Sequence, residues 1–298
     1  MDKIDSLEKF NEVLQVLSQE KLSKNNRKIA EYMLLNDKSI AFMTASELSK
    51  KIGVSQPAIT RFVTNVLEYP SFSLFNNEMK QLTHYEITGV ERQSITLFTQ
   101  LKTVETFLQQ EIDNLQSLLM FIDDDQIDTI SKKIMNARTV LVIGSRTATP
   151  LANYLYFFLR KIRSSVFIHT TDGSDSYDIL EDFKDPQALV VMFLFPRYPK
   201  EMVSMLHYLE NENFEYVTIA DSKVLEKQGI GKISIVTPIT LNSLVDSYIP
   251  TFAFLTILLN VMSNVQFEET KDRLTKLEET YKTNQVFSNY HKKSGEIQ

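Results

Sequence analysis

The chain contains no cysteine, which excludes disulfides and thiolate metal sites. Histidine is scarce. His84, His169, His207 and His291 lie far apart, without the His-x-x-x-His spacing that brings two imidazoles to one ion, so no metal site is expected. Glycine is sparse too, with seven residues in all. The one glycine closing a strand-like run, Gly144, lacks the dinucleotide fingerprint: Arg146 and Thr149 stand where further glycines would be needed, so no cofactor is expected. The most apolar stretch, "YIPTFAFLTILLNVM", is fifteen residues with a proline inside it. That is short for a bilayer span and reads as a buried core helix, so no membrane partner is expected. The start, "MDKIDSLEKFNEVLQ", is amphipathic and acidic in part, unlike a secretory signal. A cytoplasmic protein is expected.

The 298 residues suffice for two domains. With 43% hydrophobic and 23% charged residues, the chain can bury a normal core. The net charge of −6 hides an asymmetry. Residues 20–82 hold nine Lys/Arg against six Asp/Glu, whereas residues from 83 onward hold 21 against 28. A mildly basic head on an acidic body fits a head that meets phosphate. Ordinary surface scatter gives the same count, and charge alone does not separate the two.

The head reads as helical throughout. Leu7, Phe10, Val13, Leu14 and Leu17 form one face, and Ile29, Tyr32, Met33 and Leu35 another. In "TASELSKKIGVSQPAITRFVTNV", Thr44 with Glu47 is a capping-box start. Ala45, Leu48 and Ile52 point inward, Gly53 breaks the helix, and Ser55 is the next N-cap with Pro57 in the first turn. Ile59, Phe62, Val63 and Val66 then face the core, leaving Gln56, Pro57, Thr60, Arg61 and Thr64 outside. This is helix-turn-helix spacing. Gln and Arg have the forked donors that read adenine or guanine edges, while Lys50, Lys51, Ser55 and the helix N-terminus would hold phosphates of a double-stranded operator. A helical hairpin that binds nothing has the same pattern.

Between residues 84 and 137 the sequence is polar and helix-forming, and Phe107, Ile112, Leu115, Leu119 and Ile122 mark a connecting helix expected to pack on something. From residue 138 the period changes. Strands are expected at "TVLVIG", "SVFIH", "ALVVMFLF", "EYVTIA" and "KISIVT", and helices at "TATPLANYLYFFLRKI", "KEMVSMLHYLENE" and "LVDSYIPTFAFLTILLNVM". The fold expected is an all-α helix-turn-helix domain followed by an α/β domain, a parallel sheet covered by helices on both faces. The boundaries expected are 1–82 for the head, 83–125 for a helical linker, 126–265 for the sheet domain and 266–298 for a polar helix and tail.

Ligands of such sheets bind beyond the carboxyl ends of the strands. Gly144, Ser145, Arg146, Thr147 and Thr149 follow the first strand and open a helix, which makes them an anion cradle or a plain Ser/Thr cap. After the third strand comes "FLFPRYPKE". Pro196 and Pro199 have no N–H to offer, and Pro199 reads as the start of a helix. Arg197 supplies instead a charged fork suited to phosphate or carboxylate. Arg197 with Ser145, Arg146, Thr147 and Thr149 is the expected site for a small anion. Ordinary solvated charges are the alternative.

"FMTASELSKKIGVSQPAITRFVTNV", with the preceding "LSKNNRKIAEYMLLN", resembles the helix-turn-helix of the RpiR family of bacterial transcriptional regulators. Its small-residue–Glu–Leu, Gly-Val-Ser and late Arg-Phe stand here at Ala45–Leu48, Gly53–Ser55 and Arg61–Phe62. Where that family continues Leu-Gly-Phe with a glycine-containing turn, this chain has Tyr69 and Pro70. The second half resembles the SIS (sugar isomerase) domain, which in such regulators senses phosphorylated sugars. That resemblance implies that the expected anion is a small anionic sugar derivative. Its usual Ser-x-Ser-Gly loop after the third strand is replaced by the Pro196–Arg197 loop. The resemblance implies a homodimer or higher homo-oligomer that binds an operator and shifts on binding its effector. Two alternatives remain open: a sugar-phosphate isomerase, and a DNA-binding dimer whose SIS domain only dimerises. No catalytic residue is expected, because the nearest candidates for a base, His169, Asp172, Asp175 and Asp246, have no spacing that forces them together.

Overall fold

The computed structural model describes residues 7–19, 22–84, 90, 103–170, 175–227, 229–239 and 245–287. They form two compact units. One holds the described residues up to Gln116 together with Pro196–Tyr198 and those of the segment Ile239–Ile249; the other holds the rest. Among the described residues no single helix is long and apolar enough to cross a membrane.

The first unit begins with α1 (Leu7–Gln19), α2 (Lys24–Leu35), α3 (Asp37–Ile40), α4 (Ala45–Ile52), α5 (Gln56–Asn65) and α6 (Phe72–His84). Each contributes its apolar stripe to one core: Phe10 and Leu14, Ile29 and Met33, Ile40, Leu48, Ile59 and Phe62, Phe75 and Met79, all fully buried. Each such side chain contributes about 1.5–3 kcal/mol by leaving water. Asn11 donates to the Asp37 carboxylate at 2.7 Å, and Asn76 to the Met43 carbonyl at 3.1 Å. These bonds tie α1 to the start of α3 and α6 to the turn before α4. Then α7 (Val104–Leu118) follows. Here the structure departs from the expected packing. Phe107, Ile112 and Leu119 are exposed, and α7 ends at Leu118, separate from α8 (Asp124–Asn136). The reason is local, because Asp123 caps α8 through a box with Gln126 and so starts a new helix.

The second unit is built on a five-stranded, wholly parallel sheet flanked by helices. In chain order it continues from α8 through β1 (Thr139–Ile143), a 3-10 turn at Arg146–Ala148, α9 (Thr149–Ile162), β2 (Val166–His169), α10 (Ser176–Asp182), β3 (Ala188–Leu194), α11 (Lys200–Asn211), β4 (Tyr216–Ala220), α12 (Val224–Lys227), β5 (Ile235–Val236), α13 (Ile249–Val265) and α14 (Phe267–Thr283). The strand order is β2-β1-β3-β4-β5. All seven residues of β3 are buried, which is why "ALVVMFL" is unbroken by polar residues.

Two expected elements are shorter than their sequence pattern. Only Ile235 and Val236 of "KISIVT" join the ladder. Upstream, hydroxyls replace backbone rungs: Thr218 N–H donates to Ser234 Oγ at 3.2 Å and Ser234 N–H to Thr218 Oγ1 at 2.8 Å. The closing helix begins at Ile249 instead of Leu244, with Pro250 in its first turn, where a missing N–H costs nothing.

Candidate DNA-reading helix and anion loop

The helix pair in the first unit is set by two local devices. Thr44 N–H donates to the Glu47 carboxylate at 2.8 Å and Glu47 N–H to Thr44 Oγ1 at 3.2 Å, completing the box that starts α4. Gly53 ends α4 in the left-handed region at φ 72°, and its N–H donates to the Ser49 carbonyl at 3.0 Å. A Cβ there would meet nothing within 4 Å. The backbone angle alone, not space, calls for glycine. Ser55 occupies the N-cap position of α5 with extended backbone, but its side chain makes no capping bond. The N-cap position is as expected, without a side-chain bond to hold it.

On α5 the buried set is Ala58, Ile59, Phe62 and Val63. Ser55, Gln56, Pro57, Thr60 and Arg61 are exposed and Thr64 is half-buried, with Lys50 and Lys51 exposed at the end of α4. Among the described residues the Gln56 amide and the Arg61 guanidinium have no side-chain partner, whereas Thr60 Oγ1 leans on the Gln56 carbonyl at 3.4 Å and Thr64 Oγ1 donates to Asn65 at 2.8 Å. Seven of the eight expected residues are thus exposed on the helix pair, and Thr64 is half-buried. After α5, Glu68 adopts φ 59°, and Tyr69 turns inward onto Phe75 with ring centroids 5.2 Å apart. Burial, with the Glu78 carboxylate nearby, pushes the Tyr69 phenol up to about 12. Tyr69 is therefore half-buried and packs against the core, which the sequence did not reveal.

In the second unit, β1 pairs with β2 on one side and β3 on the other. The strand order changes direction between β1 and β3, and in open parallel sheets ligands bind beyond the carboxyl ends of the strands at such a point. Gly144 opens that loop. A Cβ on it would stand 2.9 Å from Ala152 Cβ and 3.0 Å from the Ala148 carbonyl oxygen, so this glycine lets the loop press onto α9. Ser145 is buried, and its Oγ has no partner among the described residues. Arg146 takes φ 51° and is exposed, as is Thr147. Thr149 is half-buried, its hydroxyl donating to the Gly144 carbonyl at 3.3 Å. The expected helix start at Thr147 moves to Thr149, preceded by the 3-10 turn.

Arg197 is exposed, and with Pro196 and Tyr198 it belongs to the first unit. Gly144–Thr149 lie in the second, so the two parts of the expected anion site fall in different units. Pro199 takes the N-cap position of α11, as expected. His169, considered for a base, is buried at the end of β2 with a ring nitrogen 2.9 Å from Ser176 Oγ. Its carbonyl accepts from Gly144 N–H at 3.2 Å, so it holds the loops in place. Asp175 is exposed, Asp246 is half-buried in the first unit, and Asp172 lies outside the described residues.

The family model "Helix-turn-helix domain, rpiR family" matches residues 11–81, and that of the SIS domain matches residues 133–261. The chain is an rpiR-family helix-turn-helix domain joined to a SIS domain. Two solved structures share the fold of this RpiR-type chain. One is the sugar isomerase domain of an RpiR transcription factor from Sphaerobacter thermophilus, 21% identical, covering 61% of this chain and 99% of that one at a TM-score of 0.55. The other is the Vibrio vulnificus NanR protein complexed with ManNAc-6P, 16% identical, covering 93% of this chain and 100% of that one at a TM-score of 0.54. No curated protein matches the RpiR-type chain.

Proposed function

We propose that the protein is a transcriptional regulator that reads a double-stranded operator through α5 and senses a phosphosugar or related sugar anion at the β1 loop, acting as a homodimer. The observation that carries this reading is the outward face of α5, where Gln56 and Arg61 stand exposed, without side-chain partners among the described residues, on a helix whose other face is core. Forked donors held this way at a helix start suit base edges in a major groove. Lys50 and Lys51 beside them suit phosphates.

The effector half is supported by the buried Ser145 hydroxyl after β1, unpartnered among the described residues, since a buried polar group without a bond favours a ligand that supplies one. The NanR neighbour holds a phosphorylated amino sugar, which favours the same class here. Footprinting with DNA upstream of the protein's own gene neighbourhood, with and without a panel of sugar phosphates and sugar acids, tests both halves. Protection of a palindrome that changes with one sugar anion is expected; absence of any protected site would end the regulator reading. Titration calorimetry then separates the sensor residues. Ser145→Val is expected to abolish effector binding, and Arg197→Ala with unchanged affinity would remove Arg197 from the site.

An isomerase remains the second reading, because SIS folds also serve as sugar-phosphate isomerases. Turnover of whichever sugar phosphate binds would establish it. An operator affinity indifferent to every ligand would instead leave the SIS domain a dimerisation module.

A further inference from the structure

The last helix, α14, leaves α13 at a bend of 104°. One side of it lies on α9: Thr270 is buried and Arg273 Nε donates to the Arg160 carbonyl at 2.8 Å. Another side is open. Phe267 is 57% exposed and Leu274 is 40% exposed. Seven residues further on, Tyr281 continues the line and meets the ring of exposed Phe287 at 5.4 Å. A seven-residue apolar repeat on one helix is the spacing of a helix–helix seam. It runs along a groove of about 1320 Å³, whose walls include Phe267, Lys271, Leu274, Glu278 and Lys282.

The charges beside the seam identify what fills it. Lys271 and Glu278 flank Leu274 on the same edge. Turning α14 end over end about a point next to Leu274 sets Lys271 opposite Glu278 twice, and brings Glu268 alongside Lys282. A parallel two-fold partner would turn this edge towards the partner's opposite edge, so that Lys271 and Glu278 would not meet. The edge is therefore complementary to its own antiparallel copy, the pattern of a two-fold interface in which each side presents the same surface. Among the described residues, Lys271 makes a 3.7 Å contact to Glu268, both exposed, which competes weakly.

We infer that α14 is a dimerisation helix, packing antiparallel against α14 of a second copy with the two-fold axis at Leu274. This rests on the homodimer of the proposed function and supplies its location.

Sedimentation equilibrium of the full chain tests it. Lys271→Glu or Glu278→Lys alone turns both symmetric pairs into like charges, and each is expected to weaken self-association by about tenfold. Mixed in equal amounts, the two variants are expected to regain wild-type affinity, because only the mixed dimer restores opposite charges at every pair. In this cysteine-free chain, Leu274→Cys is expected to give a cross-linked dimer with a short bis-maleimide, with circular dichroism confirming the fold. Unchanged association of the charge variants, or weakening with no recovery on mixing, would overturn the placement while a wild-type dimer keeps the homodimer. A wild-type monomer at every concentration, with and without operator DNA, would overturn both.

Discussion

Gln56 and Arg61 stand five residues apart, Gln56 at the opening of α5 and Arg61 a little over one turn on, both exposed. An arginine bidentate to guanine discriminates by about 1–3 kcal/mol. Arg61→Ala is therefore expected to lower operator affinity by that amount and relax specificity at one base pair, read by gel shift on single-base variants. Lys50→Ala, at a proposed phosphate contact, should weaken all sequences alike and reduce the salt slope by about one. A different residue-scale expectation concerns the tyrosines. Burial, and for Tyr216 the bond to Glu210, pushes Tyr69 and Tyr216 to about 12, one in each unit. A phenol near 10 unfolded and near 12 folded keeps its proton longer when folded, so its contribution is complete below pH 10 and is lost as pH rises to 12. Melting temperature should fall across that window. Tyr216→Phe should flatten the fall, which differential scanning calorimetry at pH 9 and 11.5 would show.

Among the elements, the helix pair was the most legible. Thr44, Glu47 and Gly53 act through bonds and angles within a few residues of themselves, so pattern and geometry agree. Removing the Thr44 hydroxyl by Thr44→Ala is expected to cost about 1 kcal/mol of stability in the first unit, measured by urea unfolding. Glu68→Gly works in the other direction. Glu68 sits at φ 59°, where a side chain is disfavoured, and glycine there should raise stability by roughly 0.5–1 kcal/mol. The elements read less well were those decided by distant partners. β5 was shortened by hydroxyls of Thr218 and Ser234, sixteen residues apart. The apolar face of α7 was expected to be covered, yet Phe107 and Ile112 stay exposed; periodicity shows that a face exists but not what meets it.

For the whole molecule, the proposed coupling joins an effector at the β1 loop to the spacing of two α5 helices. Such couplings are typically 1–3 kcal/mol, roughly 5–150-fold in affinity, and are reciprocal. The effector that alters operator affinity should therefore be bound with an affinity altered by the same factor when operator is present, which calorimetry on the free and DNA-bound protein would measure. Ligand should also raise the melting temperature of the chain, since it binds only the folded state.

The sequence by itself determined the order of the two units, the glycine-hinged helix pair, the outward set on α5 and the five parallel strands. Each depends on periods and caps that act over a few residues. Only the tertiary structure decided that Ser145 is buried without a partner among the described residues, that His169 holds Ser176, that Tyr69 packs against the core, and that Arg197 falls in a different unit from Gly144–Thr149. Burial and pairing of these groups depend on residues brought together from far along the chain, and no local pattern carries that information.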